Sequence, residues 1–191
     1  MINALETLKH LRQSLNDEDD DTSVIHIMEN HHKYLKEYIN MLNDSETAPE
    51  DKQALTSLFL CIFQMHAHAE GDSFYPALRE ASSHEVRLLG IKGQDEHEIA
   101  FEIVDEIKSM DYEHYWSDDI DAKIRVLTGL IKSHIKEEES VVYPNAKRSL
   151  SEKRLVNLTN EYLEKCLMYL DMEMENGPSD VSRSDVITFF Y

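Results

Sequence analysis

Four residues of this chain have metal-binding side chains in a pattern that occurs twice. His66, Glu70, Tyr75 and Pro76 recur in the same order and spacing as His134, Glu138, Tyr143 and Pro144. A histidine and a glutamate four apart on a helix project from one face a turn apart, so an imidazole nitrogen and a carboxylate oxygen can converge on one ion. The segments HAHAEGDSFYP and HIKEEESVVYP share little besides these anchors and apolar fill, so biased composition does not produce the match. The pattern reads as two halves of a metal site.

Each half needs a helix to carry it and a second helix to face. From Val24 to Leu42, apolar Val24, Ile27, Met28, Leu35, Tyr38, Ile39 and Leu42 form one stripe, which predicts a first core helix bearing His31 and His32. After NDSETAP, Pro49 suits a first helical turn, and the run to about Glu80 predicts a second helix with His66 and Glu70. Pro76 falls inside that run, so a kink or break is expected there. Ser82 and Ser83 can cap a third helix to about Met110 bearing His97, with Gly90 and Gly93 weakening its first half. The loop DYEHYWSDD follows, then a fourth helix from Ile120 to Arg148 with His134 and Glu138, Pro144 standing where Pro76 did. A last helix from Ser151 to about Glu175 carries Leu155, Leu158, Tyr162, Cys166 and Leu170 on an apolar stripe and ends at Asn176, Gly177 and Pro178.

Helices one and three also match each other. With His32 set on His97, Leu35, Tyr38, Ile39 and Leu42 fall on Ala100, Ile103, Val104 and Ile107, whereas aligning His31 breaks the apolar register. The chain reads as a duplicated two-helix unit with His32 in the site and His31 beside it. Four long helices with short connections favour an all-α, antiparallel up-down-up-down four-helix bundle with a further helix at each end. The expected organisation is an amphipathic helix and acidic loop over residues 1–22, the bundle over 23–148, and a C-terminal helix and tail over 149–191 packing on it. The tail segment VITFFY can fold back or meet a partner.

Composition narrows the function. The chain has 191 residues, 41% of them hydrophobic, with five Gly and four Pro, enough for one helical core. A net charge of −19 disfavours nucleic acid and anionic lipid as partners. Cys61 and Cys166 lie in apolar helical runs and read as buried free thiols of a reduced compartment. With no signal-peptide pattern at the N-terminus and no apolar run of membrane-spanning length, the expected location is cytoplasmic.

These motifs resemble the hemerythrin-like family with the HHE cation-binding domain, over roughly residues 24–148. The resemblance implies a non-haem di-iron centre with an oxo or hydroxo bridge, terminal imidazoles from His32, His66, His97 and His134, and bridging carboxylates from Glu70 and Glu138. Imidazole and carboxylate also suit manganese or zinc. The chain differs from the oxygen-carrying hemerythrins at Phe101, where they have a second histidine, and at Glu139, where they have an aspartate. Four histidines with two glutamates are more similar to the repair of iron centres proteins, whose helix-one motif HHKYLKE resembles, although residues 1–22 hold no cysteine. The expected function is therefore binding of, or reaction with, O2, NO or peroxide in sensing, stress response or iron-centre repair. A di-iron peroxidase or oxidase is one alternative, and a bundle merely stapled by metal another. His10, His26, His68, His84 and His114 read as surface or core residues, and most of the Glu137 to Glu139 run as a solvated face. Tyr75 and Tyr143 are kept outside the ligand set.

Overall fold

The computed structural model describes residues 23–176, and among these there are helices and no strands. The lead-in helix expected within residues 1–22 and the VITFFY segment lie outside the described residues.

Helix α1 (Val24–Asn43) starts at Ser23, whose hydroxyl accepts the backbone N–H of His26. Helix α2 (Pro49–Asp72) opens on Pro49, where a missing N–H costs nothing. The expected break near Pro76 comes three residues earlier, at Ser73, after which a short helix α3 spans Phe74–Arg79. The cause is steric: the proline ring excludes the carbonyl four residues back, that of Asp72, so the first helix must stop there. The Ser73 hydroxyl turns back to donate to the Ala69 carbonyl at 2.6 Å.

Helix α4 (His84–Ser109) is capped by Ser83 and runs without interruption through Gly90 and Gly93. The glycines serve close packing instead of weakening the helix. A Cβ on Gly90 would stand 2.9 Å from Leu78 Cβ, and one on Gly93 would stand 2.6 Å from Tyr75 Cζ. Helix α5 (Asp118–Glu137) is capped by Ser117. It passes into a π-helical turn, Glu138–Val142, and then helix α6 (Tyr143–Ser149). The second proline is thus accommodated by widening the helix, where the first is accommodated by breaking it. Helix α7 (Glu152–Asn176) completes the described chain.

The four long helices α1, α2, α4 and α5 pack as the bundle, with α1 on α2 and α5, and α4 on α5 and α2. Leu35, Leu42, Phe59, Phe63, Val104 and Leu127 fill its interior. Helix α7 lies outside this square against α2 and α1. It runs in the direction of α2, since Tyr162 meets His66 while Lys165 and Tyr169 both reach Asp72. Cys61 and Cys166 are buried and not joined in a disulfide. No described helix is long and apolar enough to cross a membrane.

Candidate metal centre

The bundle brings His32, His66, Glu70, His97, His134 and Glu138 into one cluster, with every one of these side chains buried. The imidazoles meet in two pairs. His32 Nε2 is 3.1 Å from His66 Nε2, and His97 Nε2 is 2.9 Å from His134 Nε2. Each glutamate then stands between the pairs. Glu138 Oε2 lies 3.2 Å from His32 Nε2 and 3.4 Å from His134 Nε2. Glu70 Oε2 lies 3.4 Å from His66 Nε2 and 3.6 Å from His97 Nε2. Each carboxylate oxygen therefore faces one histidine of either pair.

These residues fit metal ions on two counts. Imidazole nitrogens bound to one ion at about 2.1 Å, roughly at right angles, stand about 3 Å apart, which is the spacing of both pairs. Buried polar groups are also normally satisfied, yet Glu70 Oε2 has no hydrogen-bond partner among the described residues. A cation within reach of Glu70 Oε2 removes that cost. The residues fit.

Charge is distributed accordingly. Burial raises the Glu70 carboxyl well above the usual carboxylate range, and nearby Glu138 adds to this. Burial acts the same way on Glu138, but His134 and His32 override it and hold that carboxyl down at about 2. Burial lowers His32 and His134, yet Glu138 with Glu139 for the first, and Glu138 with Glu96 for the second, raise both above the ordinary histidine value. His66 is pushed well down by burial and by His32, and His97 to about 3 by burial and His134. Two imidazoles that favour positive charge flank one firmly ionised carboxylate.

A surrounding layer of side chains fixes these groups. His32 Nδ1 is 3.2 Å from Glu139, which is held in turn by Lys36 at 2.8 Å. His134 Nδ1 is 2.7 Å from Glu96, which Lys92 holds at 3.1 Å. The tyrosines of the repeated segments cross over. Tyr75 donates to Glu138 Oε1 at 2.6 Å, and Tyr143 donates to Glu70 Oε1 at 3.3 Å. His31 is not among the converging nitrogens: its ring stands edge-on to His66 with centroids 5.6 Å apart, and its Nδ1 meets the hydroxyl of Tyr162 of α7 at 2.8 Å. Burial and neighbouring His32 hold it neutral, with its pKa lowered to about 3.

Sequence reasoning missed part of this layer. Glu96 sits beside His97 but serves His134 across the bundle, a relation that spacing along one helix cannot express. Glu139 reads as part of a solvated run, but the π-helical turn aims it at His32. Tyr162 reads only as one residue of an apolar stripe.

The model of the hemerythrin HHE cation binding domain matches residues 23–146. The chain belongs to this family. No curated protein matches it. In fold the chain is similar to the crystal structure of a hemerythrin HHE cation binding domain-containing protein, the Rv2633c homolog from Mycobacterium kansasii. The TM-score is 0.64 at 16% identity, over 87% of this chain and 98% of that one. Family membership implies a metal-binding protein, and the described residues include two groups that could hold a metal ion, His32 with His66, Glu70 and Glu138, and Glu70 with His97 and His134.

Proposed function

We propose that this protein holds two iron ions, one at the His32–His66 pair and one at the His97–His134 pair, with Glu70 and Glu138 shared between them, and that this centre binds or reacts with O2, NO or peroxide. The observation that carries the reading is the placement of each glutamate oxygen between one histidine of each pair. A donor set of imidazole and carboxylate without thiolate suits iron, and manganese or zinc as well. Bound iron would supply Lewis acidity and one-electron chemistry toward a small ligand.

The chain's own residues prepare the site. Tyr75 and Tyr143 hold the two shared carboxylates in orientation through hydrogen bonds that enter from the opposite repeat. Glu139 and Glu96 fix the ring planes of His32 and His134 and make them more basic ligands. Phe63 packs edge-on to His97, and Phe74 edge-on to Tyr143, so apolar rings border the polar cluster and restrict water. Two buried thiols suit a reducing compartment, and we place the protein in the cytoplasm, in a sensing, stress-response or repair role.

The test is optical titration of anaerobically purified protein with NO and with O2. A saturable spectral change that reverses on removal of the gas supports a binder. Sustained peroxide consumption would make the protein an enzyme, and an inert site that only lends helicity would contradict the proposal.

A further inference from the structure

Tyr162 belongs to α7, beyond residues 23–146 matched by the family model, yet its buried hydroxyl touches the cluster. It lies 2.6 Å from His66 Nδ1 and 2.8 Å from His31 Nδ1. The following rests on the reading that His66 offers its Nε2 to an ion.

A neutral imidazole has one bare nitrogen and one N–H. If Nε2 of His66 is the bare one, Nδ1 carries the proton and must donate to the Tyr162 oxygen. The phenolic proton is then directed away from His66, and of the two other neighbours of the hydroxyl, His31 Nδ1 at 2.8 Å and the Cys166 thiol, the imidazole nitrogen is the stronger acceptor, so it must be bare. Donation therefore runs in one order, from His66 to Tyr162 to His31. This accounts for the adjacent histidines of α1. His32 meets the inner nitrogen of His66 at 3.1 Å, while His31 serves its outer nitrogen through the tyrosine. His32 and His134 are fixed by carboxylates, whereas among the described residues the outer nitrogen of His66 is bonded to the Tyr162 hydroxyl and to no carboxylate.

We propose that Tyr162, with His31 as its acceptor, is a positioning residue that sets the ring orientation and tautomer of His66, so that retention of the ion at the His32–His66 pair depends on the C-terminal helix α7. Among the described residues, hydrogen bonds of His97 and His134 go to each other, to Tyr75 and to Glu96, with none to α7. Loss of the Tyr162 hydroxyl leaves the His66 N–H buried without a partner and frees the ring to turn its bare nitrogen away from the cluster.

The experiment is zinc binding to the full chain by chelator competition, in wild type, Tyr162→Phe, His31→Leu and His31→Gln, joined to proton NMR of the zinc-loaded wild type. Wild type should take two zinc ions. Tyr162→Phe and His31→Leu should each weaken one of them about 10- to 100-fold and spare the other, and His31→Gln, whose amide oxygen can accept, should recover part of the loss. The His66 Nδ1–H signal of wild type should exchange slowly with water and show a nuclear Overhauser contact to the Tyr162 ring, a readout that does not depend on any variant folding. Wild-type affinity for both ions in Tyr162→Phe, equal weakening of both, or a rapidly exchanging His66 signal overturns the inference. A wild type that binds no zinc sinks the metal reading itself, which separates the two failures.

Discussion

The Tyr75 hydroxyl donates to Glu138 across 2.6 Å, tying the tyrosine of the first histidine–glutamate segment to the glutamate of the second. The reverse link, Tyr143 to Glu70, is longer at 3.3 Å, and Tyr143 also stands 3.5 Å from Glu138. The repeats are thus interlocked through their glutamates, and the two links differ in strength. Tyr75→Phe should therefore weaken metal binding more than Tyr143→Phe, by up to about 10-fold for a lost outer hydrogen bond. Chelator competition with both variants checks this, and the opposite ranking would contradict the geometry.

Tyr75 reaches Glu138 only because α4 presents Gly93 to its ring. Gly93→Ala should force the ring aside and destabilise the protein by about 1–3 kcal/mol, as overpacking does. Gly129 provides the contrast, since nothing lies within 4 Å of an added Cβ there. Gly129→Ala should stabilise by up to about 1 kcal/mol, the helix-propensity difference. Urea unfolding of the two variants should move the midpoint in opposite directions.

Lys52 of α2 is buried, and its ammonium lies 2.8 Å from Asp121 of α5. Burial pushes the Asp121 carboxyl up, but hydrogen bonds from Lys52 and Arg125 more than offset this and leave it below its ordinary value. A carboxyl depressed in the folded state adds stability above its unfolded value, near pH 3.9, and that stability drains away as pH falls through the lower folded value. Asp121→Asn should accordingly cost about 2 kcal/mol at pH 7 and progressively less in the acid range. Thermal melts of wild type and variant from pH 7 downward should converge, and parallel curves would show that the pair does not carry the difference.

The helices were legible because each carries an uninterrupted apolar stripe and a serine or proline at its start. The cluster was legible because His66 with Glu70, and His134 with Glu138, obey a local rule, four residues on one helix face. His32 followed from the apolar register it shares with His97, and the structure turns His31 toward Tyr162 instead. What spacing could not show is whatever depends on helices meeting. Glu96 serves a histidine 38 positions away and Tyr162 one 96 positions away. Gly90 and Gly93 look like defects in a helix until Leu78 and Tyr75 are packed on them. The two prolines look equivalent, yet one breaks its helix at Ser73 and the other opens a π-helical turn at Glu138, which is what turns Glu139 onto His32.

The measurement that bears most directly on the shared-carboxylate centre is the iron content of anaerobically purified protein, in wild type and in Glu70→Ala. Two imidazole pairs joined by two carboxylates predict about two irons per chain in wild type. Because Glu70 faces a histidine of each pair, its loss should lower occupancy at both positions together. A wild type that retains a single ion, or a Glu70→Ala protein that keeps its full iron content, would contradict the account.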